Sequence, residues 1–537
     1  MVKEGTTVSR RETLGMLSGG AFVTAGAKET SAAPVLNAAL FQPYVKYFNE
    51  MVSEDVVNYV PNAHAWEWMR DNIPYFSCPD KNVEETYYYR WWAYRKAIKQ
   101  TQKGFIVTEF LKPVRHATEY NAISSAFGHH LAEGRWVNDP KYMDDYTLFW
   151  LKSGADGGLQ PRFHQFSGWA AAAVYDRWLV NGDTRFLTSL FDPLTVDYRT
   201  WEDDRELANG LFWQTDVADG MEESISGGRK VRNLRPSINS YMYGNAVALS
   251  AIATLISNSG AADEYSSKAT KLKHLVEQTL WNNDAGFFET VLESGTPANV
   301  REEIGFTPWY FDLPEANRGY EPAWRQLMDS QGFYAPYGPT TAEQRDPRCR
   351  ILYSGDDCQW NGPSWPFATT ITLRALANVL NDYKQNSVTM EDYFATFLIY
   401  TRSHVLMLPD GRTIPWIDEN LNPFTGEWLA RRRKIDAGTF YGRGDHYNHS
   451  GYADLLITGL VGLRPKAGDT LEVNPLLPAK KWDWFCLDHV RYRGRLLTVL
   501  WDKTGGRFGR DQGLNVYADG RQVAHSSELG RISARLL

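Results

Sequence analysis

The stretch Gln359-Trp360-Asn361-Gly362-Pro363-Ser364-Trp365-Pro366, running into Phe367-Ala-Thr-Thr-Ile-Thr-Leu-Arg-Ala-Leu-Ala-Asn-Val-Leu380, sets the pattern of the chain. A rigid loop with two tryptophans, an asparagine and two prolines leads straight into a segment whose apolar residues recur at three- and four-residue spacing, the mark of a helix with one buried face. The same alternation of polar loop and amphipathic segment extends from about Phe41 to Leu463. It recurs at Val114 to Leu131, Met143 to Ser153, Trp169 to Asn181, Ser240 to Ser257, Ala262 to Trp281 and Met390 to Leu408. No sequence repeat is visible, yet helices separated by long loops suit stacked helical hairpins. Such an array closes into an α/α barrel with a site among the loops at one end. After about Pro465 the texture changes. Leu497-Thr-Val-Leu-Trp501 and Leu514-Asn-Val-Tyr517 alternate with period two between Gly505-Gly506, Gly513 and Asp519-Gly520, which reads as antiparallel strands. The expectation is a mostly α protein with a helical-hairpin domain over residues 34–464 and a small β-domain over 465–537.

The 537 residues include 20 Trp, 29 Tyr and 25 Phe, 14% of the chain. That excess suits a cleft in which flat rings stack on sugar faces, although any single tryptophan reads as well as core. A formal charge of -7 argues against a nucleic-acid partner, which requires a basic excess or stripe. Arg431-Arg-Arg-Lys434 is a dense basic run, explained equally by a solvated helix face or by contact with an acidic group. Arg491-Tyr-Arg-Gly-Arg495 reads either as a substrate contact or as solvated strand arginines. Near the N-terminus Ser9-Arg10-Arg11 precedes an uncharged stretch from Leu14 to Ala27 and the small residues Ser31-Ala-Ala33. This pattern is that of a twin-arginine export signal over residues 1–33, and it implies a periplasmic or secreted protein. No later segment reads as a membrane span. Cys78, Cys349, Cys358 and Cys486 are scattered without metal-ligand spacing, and only Cys349 and Cys358 are placed to bridge a short loop. His129-His130 with Glu133 has metal-like spacing but no third ligand, so no metal is assigned.

Two acidic strips lie about two hundred residues apart. Asp219-Gly-Met-Glu222-Glu223-Ser224 and Asp418-Glu419-Asn-Leu-Asn-Pro423-Phe-Thr-Gly426 would supply a proton donor and a proton acceptor from different parts of the chain. Hydrolysis of a glycosidic bond with inversion requires such a pair, with room for a water between them. Read by themselves, acidic residues in the first strip also suit a solvated loop or a helix N-terminus.

The string Trp360-Asn361-Gly362-Pro363-Ser364-Trp365 resembles the Trp-Asn/Arg-Gly-Pro-x-Trp signature of glycoside hydrolase family 63 and its mannosylglycerate hydrolase-like relatives, and both acidic strips resemble theirs. The resemblance implies an (α/α)6 barrel, the six-hairpin glycosidase fold. It further implies an inverting, exo-acting hydrolase that cleaves an α-glycosidic bond in an oligo- or polysaccharide without an organic cofactor. Relatives sometimes hold a structural calcium ion, for which the sequence offers no clear loop. By register, Glu222 falls at the position of the general acid and Glu419 at that of the general base. The chain departs from the pattern in having Glu at 222 and Asp at 219, so Asp219 is the alternative acid. Trp360, Asn361 and Trp365 are expected to shape the sugar subsite, with Trp309, Trp416, Arg90, Trp92 and His446 as further contacts. The same barrel supports rhamnosidase-type hydrolysis or polysaccharide lysis, for which the segment Tyr441 to His449 would serve. A catalytically inactive sugar-binding protein is a third reading.

Overall fold

The computed structural model describes residues 35–351, 358–438 and 442–536. The twin-arginine segment, Asp356, Asp357 and Tyr441 lie outside these residues. In the first hairpin, α1 (Lys81–Ala97) is capped by the Asp80 carboxylate, which accepts from the Asn82 and Val83 amides, and is followed by α2 (Phe127–Gly134). The next two hairpins are α3 (Lys141–Lys152) with α4 (Ala170–Asn181), and α5 (Phe191–Arg205) with α6 (Pro236–Leu255). Then come α7 (Ser259–Thr279) with the short α8 (Thr307–Tyr310), and the 3-10 helix Glu321–Leu327 with α9 (Pro366–Asp382). The last hairpin is α10 (Met390–Ser403), followed after a long connection containing α11 (Leu429–Asp436) by α12 (Tyr452–Leu455).

The second member of each hairpin is an inner helix. Among the described residues α2 packs on α4, α4 on α6, α6 on α8, α8 on α9, α9 on α12, and α12 back on α2. The ring closes, and the fold is an (α/α)6 barrel. Local chemistry fixes the helix starts. Proline stands at the first position of α6 and of α9, where its missing N–H costs nothing, and Thr389 with Asp392 forms a capping box on α10. The inner helices fit closely. A Cβ on Gly128 would lie 2.1 Å from the Trp169 ring, and one on Gly305 would lie 2.3 Å from the Phe288 carbonyl oxygen.

The first and last hairpins are joined by a buried ion pair. Arg90 on α1 donates to Glu133 on α2 at 3.0 Å, and the other Glu133 oxygen accepts the Ala453 amide at the start of α12 at 2.8 Å. Both side chains are essentially inaccessible. Arg90 also donates to the Ser450 carbonyl at 3.3 Å. Arg90 was expected at the sugar; it is instead consumed in closing the barrel. The helix expected over Val114 to Leu131 forms only from Phe127. Tyr120 and Asn121 have φ of 59° and 71°, and the Asn121 side chain ties Val114 to Phe110 and Lys112, holding this segment as a loop.

The C-terminal strands pair with a strand from the other end of the chain. β1 (Tyr75–Ser77) lies at the edge of a five-stranded antiparallel sheet continued by β4 (Trp484–Tyr492), β5 (Arg495–Asp502), β6 (Gly513–Ala518) and β7 (Arg521–Ser526). The smaller strands β2 (Leu463–Arg464), β3 (Thr470–Val473) and β8 (Ile532–Arg535) form a second sheet. Asp519-Gly520, with φ of 50° and 78°, makes the two-residue turn between β6 and β7 that the sequence marks.

Removing one partner of the Arg90–Glu133 pair strands the other charge in the core. Glu133→Gln is therefore expected to cost about 3–5 kcal/mol, and Arg90→Met/Glu133→Leu less than either single change. Thermal and denaturant unfolding of the three variants tests this.

Candidate active site

A cavity of about 370 Å³ opens at the end of the barrel where the loops entering the inner helices meet. Its walls come from Glu109, Phe110 and Ser125 ahead of α2, Gln165 to Ser167 ahead of α4, and Val217 to Gly220 with Glu222 ahead of α6. Cys358, Trp360 and Trp365 ahead of α9, and Arg443, Tyr447 and His449 ahead of α12, complete it. Helices α6 and α12 are three places apart in a ring of six. The two acidic strips, one leading into each, therefore stand on opposite sides of the mouth.

The first strip separates its carboxylates into different surroundings. Asp219 is buried and bonded to the Arg235 guanidinium at 2.8 Å, with the Ser237 hydroxyl donating to the same oxygen. The Asp that departs from the family pattern is thus neutralised by an arginine at the foot of α6. Asp216 accepts the Val217 amide at 2.8 Å, and Glu223 pairs outward with Arg229 at 2.9 Å. Glu222 lines the cavity and is partly exposed.

The second strip places Glu419 beneath the opposite wall. Arg443 grips it with both arms, Nε to Oε1 at 2.8 Å and Nη2 to Oε2 at 2.6 Å, while Lys434 of α11 reaches Oε1 at 3.2 Å. Burial alone would raise the Glu419 carboxyl, but the two cations outweigh it and hold it below the ordinary glutamate value. It is a carboxylate at neutral pH. Its neighbour Asp418 has a weaker counter-charge, Arg431 at 3.9 Å. Burial first, then the charge of Glu419, pushes it up to about 7. The Cys358 thiol lies 3.5 Å from Glu419 Oε2 and is also close enough to Glu222 to feel its charge.

A further carboxylate enters the site without any motif in the sequence to announce it. Glu109 accepts from Ser125 Oγ at 2.6 Å and from the Tyr447 hydroxyl, and burial pushes it up to about 7. Trp360 and Trp365 stack at 4.6 Å with 13° between their planes and form part of the cavity wall. Trp360 Nε1 and both ring nitrogens of His449 are buried with no hydrogen-bond partner among the described residues, as is Asp219 Oδ1. Burial holds His449 neutral. All three residues line the cavity, where sugar hydroxyls would supply the missing partners.

Other expected contacts are placed elsewhere. Trp309 is buried in the core against Phe288 and Trp324. Trp92, His446 and Trp416 pack together behind the wall, with His446 bonded to the Tyr89 hydroxyl at 2.8 Å and Trp92 Nε1 to Asn49. Asn361 shapes the loop, its carbonyl accepting the Arg350 amide at 2.7 Å, rather than lining the cavity. The rings of Trp309, Trp92, Trp416 and His446 pack against aromatic partners in the core that sequence spacing does not reveal. The basic run Arg431 to Lys434 contacts acids: Arg431 pairs with Asp445, and Lys434 with Glu419. His129 packs edge-on to Trp169 and Phe367, and His130 bonds to the Asn448 carbonyl and to Tyr146. The four cysteines are free.

The barrel of six helical hairpins thus carries at one end a tryptophan-walled pocket, with Glu222 on its wall and Glu419 beneath Arg443 and Lys434, which also line it. Residues 119–450 match the family described as mannosylglycerate hydrolase MGH1-like glycoside hydrolase domain, and the chain belongs to that family. Residues 463–525 match the C-terminal domain of glycosyl hydrolase family 65. A solved structure named sialidase is 47% identical with a TM-score of 0.88, aligned over 93% of this chain and 45% of that one. The chain therefore spans less than half the length of that relative. A family 78 rhamnosidase of Bacillus sp. GL1 shares the fold at 12% identity and TM-score 0.53, covering 81% of this chain and 40% of that one. An α-L-rhamnosidase from Dictyoglumus thermophilum does so at 12% identity and TM-score 0.50, covering 81% and 43%.

Burial and the charges of Glu419 and Glu222 push the Cys358 thiol up, so little thiolate is present at neutral pH. Alkylation of Cys358 by iodoacetamide at pH 8 is expected to be at least about tenfold slower than that of an ordinary exposed thiol, and faster in Glu419→Gln. Peptide mass spectrometry over a time course reads both rates.

Proposed function

We propose that the protein is an inverting, exo-acting glycosidase in which Glu222 is the general acid and Glu419 the general base. The observation that carries this reading is the contrast between the two strips. Glu419 is kept ionised by Arg443 and Lys434, as a base requires, while Glu222 lines the pocket on the opposite side. In the proposed step, Glu419 takes a proton from a water that attacks the anomeric carbon. The bond to the leaving oxygen breaks on the other face, and Glu222 gives that oxygen its proton. Asp219, tied to Arg235 and Ser237, is a less suitable acid and serves to orient the strip or hold a hydroxyl. The cavity, near the lower end of the ~300–1,000 Å³ range of ligand pockets, suits a terminal sugar rather than a threaded chain. Trp360, Trp365, His449 and Glu109 are proposed to surround that sugar.

The test is reducing-sugar release from aryl glycosides and oligosaccharides in both anomeric series, with product configuration followed by proton NMR. Sialosides join the panel because a longer relative is named for them. Glu419→Gln is expected to lose at least about a thousandfold in kcat on every substrate, with azide producing an inverted glycosyl azide. Glu222→Gln is expected to lose a similar factor on poor leaving groups but little on dinitrophenyl glycosides, which need no acid. Asp219→Asn should retain the native dependence on leaving group; if it alone mimics an acid knockout, the assignment passes to Asp219. A retained anomer, or activity undiminished in Glu419→Gln, would overturn the mechanism.

The pH dependence follows from the sign of the Glu419 shift. A base must be deprotonated, and Glu419 is held below its ordinary value, so the acid limb of kcat/KM is expected below the usual glutamate range of about 4.3. Arg443→Met removes the largest lowering influence and should move that limb up by at least about one pH unit. A pH–rate profile of both proteins measures it.

A further inference from the structure

The hairpin joining β4 to β5 turns through Arg493-Gly494, with φ of 48° and 75°, and the Arg493 amide donates to the Val180 carbonyl at 2.7 Å. The tip of the β-domain is thereby pinned to the C-terminal end of α4. Beside this contact runs a groove of about 980 Å³ that continues into a second of about 450 Å³ through the shared residues Asn181, Arg493, Gly494 and Arg495. Neither shares a lining residue with the catalytic cavity.

The larger groove is lined by Arg135, Arg177, Arg491, Arg493 and Arg495, with Asp519 its one acidic lining residue. Three of these arginines are occupied: Arg135 pairs with Asp454 at 2.6 Å, Arg177 with Asp144 at 2.6 Å, and Arg495 with Asp519 at 3.0 Å. Arg491 and Arg493 have no ion-pair partner among the described residues. Arg493 is also ordered for binding. Its guanidinium lies 4.9 Å from the Trp178 ring centre, one arm donates to the Lys466 carbonyl at 3.2 Å, and its Nε is buried without a partner. In a chain of net charge -7, this is a local concentration of unpaired positive charge.

We propose that this groove is a second carbohydrate site, a non-catalytic cradle in which Arg491 and Arg493 bind the carboxylates of an acidic, uronate-containing polysaccharide. A planar guanidinium matches a carboxylate in two-pronged fashion, and a fork stacked on an aromatic ring loses little freedom on binding. Two separate forks in one groove suit spaced carboxylates on sugar rings. The dense phosphates of a nucleic acid call for a continuous basic stripe, which an acidic protein lacks. Such a site would keep an exo-acting enzyme on the polymer whose chain ends it trims. The proposal rests on the glycoside hydrolase reading for the class of ligand, but not on the roles of Glu222 and Glu419.

Affinity electrophoresis of the full chain through gels containing polygalacturonate, with dextran as the neutral comparison and single-stranded DNA as the non-sugar polyanion, tests it. Retardation by polygalacturonate alone is expected, weakening as salt rises. Arg491→Ala/Arg493→Ala should bind roughly tenfold or more weakly, and Arg491→Lys/Arg493→Lys should fall between. Both double variants should remain folded with a cooperative unfolding transition and unchanged kcat/KM on small aryl glycosides. No retardation of the native protein, equal retardation of the alanine variant, or equal retardation by DNA would overturn the proposal. Failure of the catalytic reading would appear separately, as no sugar release from any substrate by a protein that polygalacturonate still retards.

Discussion

The buried pair of Arg90 and Glu133 is the contact on which the rest of the structure turns. A barrel of six hairpins has no covalent reason to close; its first inner helix must recognise its last across more than three hundred residues of chain. Glu133 does this by accepting Arg90 on one oxygen and the Ala453 amide on the other. Desolvating two charges is costly, and the bonds from Arg90 Nη2 and the Ala453 amide to the two Glu133 oxygens offset that cost by tying α1, α2 and α12 together. The same arrangement fixes the chain just ahead of α12. His130 of α2 bonds to the Asn448 carbonyl, and Tyr447 and His449 on either side of it are delivered to the cavity wall.

Within the cavity, chemistry is divided among carboxylates by their surroundings rather than by their intrinsic acidity. Glu419 lies under two cations, Asp219 is cancelled by Arg235, and Glu109 is buried with hydroxyl donors. Three acids with nearly identical free pKa values thereby acquire an ionised, a paired and a protonatable character. The arginines that matter come from outside the strips: Arg235 opens the helix after the first, and Arg443 lies 24 residues beyond Glu419.

Much of this was legible in the sequence. The helical spacing of Phe367 to Leu380 and Met390 onward, the proline-bearing loop that runs into the helix at 366, and the Asp-Gly turn at 519 are local signals, and local physics carries them into the structure. The acidic strips and the Trp360 to Trp365 loop were legible because each is a contiguous motif. Arg90, Trp92, Trp309 and His446 were not, since aromatic and charged residues look alike in sequence whether they meet a ligand or one another. Glu109 had no motif at all and became part of the site through its contact with Tyr447. β1 pairs with β4 across some four hundred residues, a long-range contact with no local signature.

The sequence by itself determined the presence of the long helices, which loops carry the acidic strips, and that a helical region precedes a β-region, because turns and hydrophobic period act within a few residues. Tertiary structure alone decided which charges neutralise one another and which face the cavity. Glu419 is held ionised because the folding of the connection between α10 and α12 brings Arg443 and Lys434 onto it, and Arg90 is withheld from the site because it pairs with Glu133. Electrostatic character depends on burial and on partners within a few ångströms, and those are properties of the assembled barrel rather than of the chain.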